Sequence, residues 1–409
     1  MKNNLLIIGN VWPEPKSSAA GTRILQVIDL FLDQNFEITF VSAASKSEFS
    51  FNLESLGVKT IDIELNSSSF DEFVKTLNPQ IVVFDRFMIE EQFGWRVREN
   101  CPNAQTILDT EDLHLLRFAR QKAVKEKREF EKDDLFSLHA KREIASILRC
   151  DLNLIISELE MEILKTEFRI NPEILFYLPF LIKEYADTNP RFYERTDFTF
   201  IGNFFHEPNI DSAFYLKEKI WPLLRKKLPK AKLKIYGAYM PEKILNLNKE
   251  NENFLVLGRI EDASEVYKSS RVFLAPLRFG AGQKGKLLET MLYGIPNVTS
   301  SIGAESMQGN LAWNGFITDD VNEFVNHAVN VYTDESLWNQ SKENGFKILE
   351  HRFLNLNFSF NLFEKINYLQ QNLVKHRNEN FLGQILQQDS INATKFMSKW
   401  IEEKNKIKK

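Results

Sequence analysis

The chain has 409 residues, enough for two α/β domains with cores of their own, and its net charge of −4 with a pI of about 6.0 excludes a general nucleic-acid binder. Its two cysteines, Cys101 and Cys150, form no CxxC pair, which excludes the common zinc motifs and fits a reducing, cytoplasmic setting. Met1-Lys2 runs directly into LLIIG, too short for a secretory signal, and no apolar run reaches membrane-spanning length, so a soluble or peripheral protein is expected.

Leu5 to Ile8 reads as a buried first strand, followed by the loop NVWPEPKSSAAG and a helix from about Thr22 to Asp33. Gly21, Thr22 and Arg23 open that helix; Arg23 is either a surface cation or a phosphate contact on the cleft side. Further strand-like runs at Glu37 to Ala43, Val58 to Ile63 and Ile81 to Phe84 alternate with helical segments, the pattern of a doubly wound parallel sheet with its crevice at the carboxyl ends of the strands. Gln105 to Leu108 then delivers DTEDLHLLR, Asp109 to Arg117, to that edge. Asp112, His114 and Arg117 make this the densest polar constellation of the N-terminal half; helix capping and a local polar pair would account for the same residues. Lys122 to Lys141 is charge-dense and reads as one long solvated helix. Asp151 to Ile156 resumes the sheet, Ser157 and Glu160 form a capping pattern, and Ile174 to Leu178 closes the first domain, 1–182. The polar stretch 183–196 reads as a linker.

A second α/β domain, 197–355, begins with Phe198 to Asn203, continues through a helix from about Ile210 to Lys227, and adds strands at Leu233 to Tyr236 and Phe254 to Leu257. Gly258-Arg259 ends the last of these and lets backbone meet a ligand. The stretch VFLAPLRFGAGQKGKLLETMLYGIPNVTSSI, Val272 to Ile302, follows as strand, glycine-rich turn, helix and strand. Gly280, Gly282 and Gly285 clear the turn of side chains, the helix presents its N-terminal amides to it, and Lys284 and Lys286 add two charges, so an anion is expected there. The same glycines spell G-x-G-x-x-G with Glu305 about 20 residues on, the dinucleotide fingerprint, although that motif ordinarily follows the first strand of its domain. Residues 356–409 read as helical; Phe381, Ile385, Phe396, Trp400 and Ile401 among lysines fit either packing across the domains or a helix on a membrane surface.

PLRFGAGQKGKLLETMLYGIPNVTSSIGAES, IGNFFHEPN, DTEDLHLLR and PEPKSSAAGTR together resemble the group 1 glycosyltransferases of the GT-B fold over roughly Leu5 to Phe353. The resemblance implies two Rossmann-like doubly wound domains facing across a cleft, with a helical C-terminal extension. It further implies a nucleoside-diphosphate sugar donor on the second domain and a glycan, lipid-linked or protein acceptor on the first, with retention and without metal or other cofactor. Glu289 matches the glutamate that binds the nucleotide ribose. The place of a second glutamate near the donor sugar is held by Ala281, and the usual Gly-Arg after the first donor-domain strand is Gly202-Asn203. The phosphate role is accordingly expected of Lys284 and Lys286, with Gln283 and Asn203 in the same donor site and Asp112 or His114 orienting the sugar or accepting a proton. A non-catalytic GT-B module that binds a glycan or partner, and a dinucleotide oxidoreductase, are the alternatives. Cytoplasmic placement, with peripheral contact at the inner membrane face, completes the expectation.

Overall fold

The computed structural model describes residues 3–183, 190–354 and 357–407 and, of residues 389–392, the backbone alone. Strands β1 (Asn4–Gly9), β2 (Glu37–Ser42), β3 (Lys59–Asp62), β4 (Ile81–Asp85), β5 (Gln105–Asp109), β6 (Leu152–Ile155) and β7 (Leu175–Tyr177) form one parallel sheet in the order β3-β2-β1-β4-β5-β6-β7. Strands β8 (Thr196–Ile201), β9 (Leu233–Tyr236), β10 (Phe254–Gly258), β11 (Ser270–Ala275), β12 (Asn297–Thr299) and β13 (Gly315–Ile317) form a second, in the order β10-β9-β8-β11-β12-β13. Helices cover both faces of each sheet, which is why the central strands are continuous apolar runs. Each chain path reverses direction at the sheet centre, between β1 and β4 in one domain and between β8 and β11 in the other. The loops at those carboxyl ends diverge and leave a crevice.

The helix Ala19–Asp33 starts earlier than its apolar periodicity indicates, because the Ser18 hydroxyl accepts the Gly21 N–H at 3.0 Å and caps it. The expected helix over Lys122 to Lys141 is largely absent: residues 126–137, which hold only the short 3-10 turn Lys132–Leu135, separate two helices. His114–Lys125 ends where Lys127 takes a left-handed backbone (φ 56°), and Leu138–Arg149 starts under a Ser137 cap. The expected linker is shorter at its C-terminal end: Phe192 is buried in the second core, and Arg195, fully buried, donates to the carbonyls of Tyr267 and Tyr293 at 2.7 and 2.5 Å. The remainder of that linker, 184–189, lies outside the described residues.

The helix Asn357–Gln371 returns to the first domain, where Leu362, Phe363, Ile366 and Leu369 enter its core and Phe363 meets Phe31 edge to face at 5.1 Å. Each such buried side chain contributes about 1.5–3 kcal/mol, so this helix is an integral part of that domain. The last helix, Phe381–Ile407, packs on helices Phe87–Asn100 and Leu138–Arg149 of the same domain. Among the described residues no helix is long and apolar enough to cross a membrane.

Candidate active site

The turn after β11 is docked into the first domain. Gly282 has φ 63°, and a Cβ there would stand 2.9 Å from the Asp112 Cβ, so backbone conformation and space both require glycine. Its N–H donates to Glu160 Oε1 at 2.8 Å, and the same oxygen accepts the Leu113 N–H at 2.8 Å. Glu160 thereby ties the glycine turn to the loop carrying Asp112 and His114. Ala281 packs its methyl group against the apolar core of the first domain at the wall of the cleft, where it supplies no charge. Arg120 donates to the Gly280 carbonyl at 2.9 Å and forms a bidentate pair with Glu305 at 2.7 and 3.0 Å. Gln283 accepts the Phe180 N–H at 3.1 Å.

Below the turn, two helix N-termini face each other. A Cβ on Gly285 would lie 2.8 Å from that of Ala19, so the positive ends of the helices Gly285–Leu292 and Ala19–Asp33 meet from opposite domains. Lys284 precedes the first of these helices and donates to the Ala281 and Gly282 carbonyls at 3.1 and 2.5 Å. Lys286 donates to Asn209 Oδ1 and lies over the Phe200 ring at 4.5 Å. Burial pushes the Lys286 ammonium down to about 7, against the pull of Glu289, and burial lowers Lys284 as well. Such convergence of positive charge is unfavourable until an anion enters it. Glu289 is raised by burial and accepts the Tyr267 hydroxyl at 2.6 Å, while Tyr267 and Tyr293 stack in parallel at 5.5 Å along the cleft.

The opposing edge carries carboxylates. Asp112 lies 3.3 Å from His114 Nε2 and 3.1 Å from Arg117 Nη1. Burial pushes the Asp112 carboxyl up, but Arg117, His114, His206 and Arg86 together hold it below its ordinary range. Burial drives His114 down to about 3, so its contact with Asp112 is that of a neutral imidazole and not an ion pair. His206, from the loop after β8, is likewise held by burial at about 4 and joins this group from the second domain. Beside them Arg86 (φ 73°) and Glu111 (φ 62°) both have left-handed backbone at the ends of β4 and β5, where strain is stored at functional positions. Glu111 Oε1 is buried without a hydrogen-bond partner, and burial raises that carboxyl well above its usual range.

The cleft between these edges is a cavity of about 910 Å³. Asp112, His114, Arg117, Thr22, Asn203 and Arg259 line it, together with Gly280, Ala281, Glu289 and the run Gln283 to Lys286. Gly282 faces the first domain as described, and Gly258 (φ 75°) precedes Arg259, whose guanidinium stacks on Phe49 of the first domain at 3.8 Å. Gly21 and Arg23 are held elsewhere. A Cβ on Gly21 would meet the Glu14 backbone at 2.4 Å, so this glycine admits the preceding loop. Arg23 is fully buried against Asp109 at 3.3 Å and donates to the Pro179 carbonyl at 2.8 Å, an interior pair in place of the expected phosphate contact. Residues that the sequence did not single out are Arg86, Glu111, His206 and Tyr267; the position of Arg86 and His206 just past β4 and β8, at the two reversal points, is the signal that would have found them.

Residues 195–334 match the family model described as glycosyl transferases group 1. An uncharacterised 44.6 kDa protein in the cps region of Klebsiella pneumoniae is 26% identical over 161 residues, 38% of this chain and 42% of that protein, so the match spans less than half of the relative's length. Solved structures share the fold at low identity. A S. aureus TarM variant in complex with fondaparinux, α-GlcNAc-glycerol and UDP superposes with a TM-score of 0.68 at 11% identity, covering 90% of this chain and 100% of that one. The pneumococcal O-GlcNAc transferase GtfA, in complex with UDP and GlcNAc, gives 0.67 at 11% identity over 90% and 99%. Sucrose-phosphate synthase from Thermosynechococcus elongatus gives 0.66 at 12% identity over 90% and 99%. The chain has the GT-B fold, and residues 195–334 of its second domain are similar to the group 1 glycosyltransferase model.

Proposed function

We propose that this protein transfers a hexose-like sugar from a nucleoside-diphosphate donor to a glycan, lipid-linked or protein acceptor. The observation that carries the proposal is the meeting of two helix N-termini, Gly285 against Ala19, beside Lys284 and Lys286. Departure of a nucleoside diphosphate builds negative charge on its phosphates, and cations and amides fixed at that place stabilise the transition state. Glu289 with Tyr267 suits the ribose hydroxyls, and Tyr293 offers a ring for the base. Asp112, anionic beside neutral His114, orients the sugar across the cleft from the phosphates. The nucleotide sugar is a co-substrate, and no further cofactor enters this reading; retention rests on the family resemblance alone. The complexes of TarM and GtfA with UDP favour a uridine donor.

The test is release of nucleoside diphosphate from a panel of UDP-, GDP-, ADP- and dTDP-sugars, with and without oligosaccharide acceptors, followed by proton NMR of the product anomer. Turnover of one donor supports the proposal; absence of both diphosphate binding and turnover across the panel overturns it. A second reading, a GT-B module that binds without catalysing, is favoured by the burial of Ala281 in the first core and by the engagement of the Gly282 N–H by Glu160. It requires diphosphate binding with no turnover of any donor.

A further inference from the structure

The helix Phe381–Ile407 carries its apolar residues on the wrong side for a protein in free solution. Phe381, Ile385, Phe396 (66% exposed), Trp400 (59%) and Ile407 (86%) stand in solvent, with Leu382 and Met397 beside them. At 3.6 residues per turn all of these fall within one arc of about 160°. The face toward the first domain is polar instead: Gln387 donates to the Arg149 carbonyl at 2.8 Å, and Arg96 donates to the Ser398 hydroxyl at 3.0 Å. Ordinary surface helices show the reverse distribution. Lysines mark both borders of the apolar arc. Lys399 stands on one side, near Lys395, which is paired with Glu99 of the first domain, and Lys406, which is paired with Glu402 and Glu403; Lys404 stands on the other with its ammonium 4.9 Å from the centre of the Trp400 ring. Glu403, within the arc, is held by Lys406 at 2.7 Å.

We infer that this face docks on an anionic lipid surface, the helix lying in the plane of the interface with the first domain held against the membrane. Aromatic and aliphatic side chains enter the headgroup and acyl boundary, and long lysine stems let their charges reach the lipid phosphates on either side. A second copy of the chain fits less well, since pairing two such faces brings lysine borders together. This inference stands independently of the sugar-transfer reading.

The test is co-sedimentation of the full chain with vesicles of phosphatidylcholine containing about a quarter phosphatidylglycerol, and with vesicles of phosphatidylcholine alone, the anionic lipid attracting each nearby lysine. The wild type is expected to sediment with the anionic vesicles and much less with the neutral ones. Phe396→Ser/Trp400→Ser, whose side chains are exposed and whose fold is checked by circular dichroism, is expected to lose about tenfold or more in partitioning. Lys399→Glu/Lys404→Glu is expected to lose the preference for anionic vesicles while remaining folded. Wild-type protein that stays in the supernatant with both vesicles, or a serine variant that sediments as well as wild type, overturns the inference. So does a dimer in analytical ultracentrifugation that the serine variant abolishes, because the face would then be covered by a second copy.

Discussion

The two sheets bring different sets of charged groups to the edges that face each other. The first domain brings the carboxyl groups of Asp85, Glu111, Asp112 and Glu160 to its carboxyl edge with Arg86 and Arg117 among them, and the second brings Lys284, Lys286, Glu289 and an uncapped helix N-terminus. These carboxyls and lysines are shifted away from their charged forms by burial, apart from Asp112, which neighbouring cations keep ionised. The fold is the same doubly wound arrangement twice, and what differs is the set of side chains that each sheet carries to the cleft.

The comparison breaks most visibly at Asp112. Asp112→Asn is expected to lower sugar transfer by about a hundred- to a thousandfold while leaving diphosphate affinity within a few fold, since the acidic edge acts on the sugar and not on the phosphates. Parallel loss of diphosphate affinity, measured by calorimetry, would contradict the division of roles.

Glu160 sharpens it next. Glu160→Ala leaves the Gly282 and Leu113 N–H groups without their shared acceptor, and a fall of about ten- to a hundredfold in turnover is expected, largely restored by Glu160→Gln, whose carbonyl accepts both. Burial, reinforced by Asp112, raises this carboxyl from 4.5 to about 7. Its stabilising contribution is therefore fully present below pH 4.5 and is lost as pH rises through about 7, an effect of order 3 kcal/mol. Thermal unfolding across that window should show a smaller decline in the glutamine variant than in wild type.

Lys286 tests the opposite edge. Its ammonium, brought to about 7 by burial, must be protonated to meet a phosphate, so diphosphate affinity is expected to be full below pH 7 and to weaken by up to about tenfold per pH unit above it. Lys286→Met should remove that slope, and the difference between the two proteins cancels the titration of the ligand itself. The smallest effect belongs to the far lip of the cleft. There the Tyr239 hydroxyl donates to Glu14 at 2.8 Å across the domains, and Tyr239→Phe is expected to weaken that contact by about 1 kcal/mol, read as faster amide exchange around Phe49.

Much of this architecture is legible in the sequence because it is local. β1, β4 and β11 are short apolar runs with turn residues after them, and the glycines of 280–285 announce on their own a tight turn leading into a helix. What is not legible depends on pairs far apart in the chain. Arg23 meets Asp109 across 86 positions, and Glu160 meets Gly282 across 122, so neither the burial of the first nor the bridging role of the second follows from composition or periodicity. Charge misleads in the same way at Lys122 to Lys141, where residues 126–137, beginning near left-handed Lys127, break the helix that charge density suggests. Ala281 is informative in both settings: the sequence marks it as the place of a missing carboxylate, and the structure puts it between the apolar core of the first domain and the cleft.

The central claim is that Lys284, Lys286 and the facing helix ends hold a nucleoside diphosphate. It is tested most directly by thermal shift with UDP, GDP, ADP, dTDP, CMP and NAD on wild type and on Lys284→Ala/Lys286→Ala. Stabilisation of the wild type by one diphosphate, abolished in the double variant, is the expected result. A flat panel, a shift with NAD alone, or an equal diphosphate shift in the variant would contradict it.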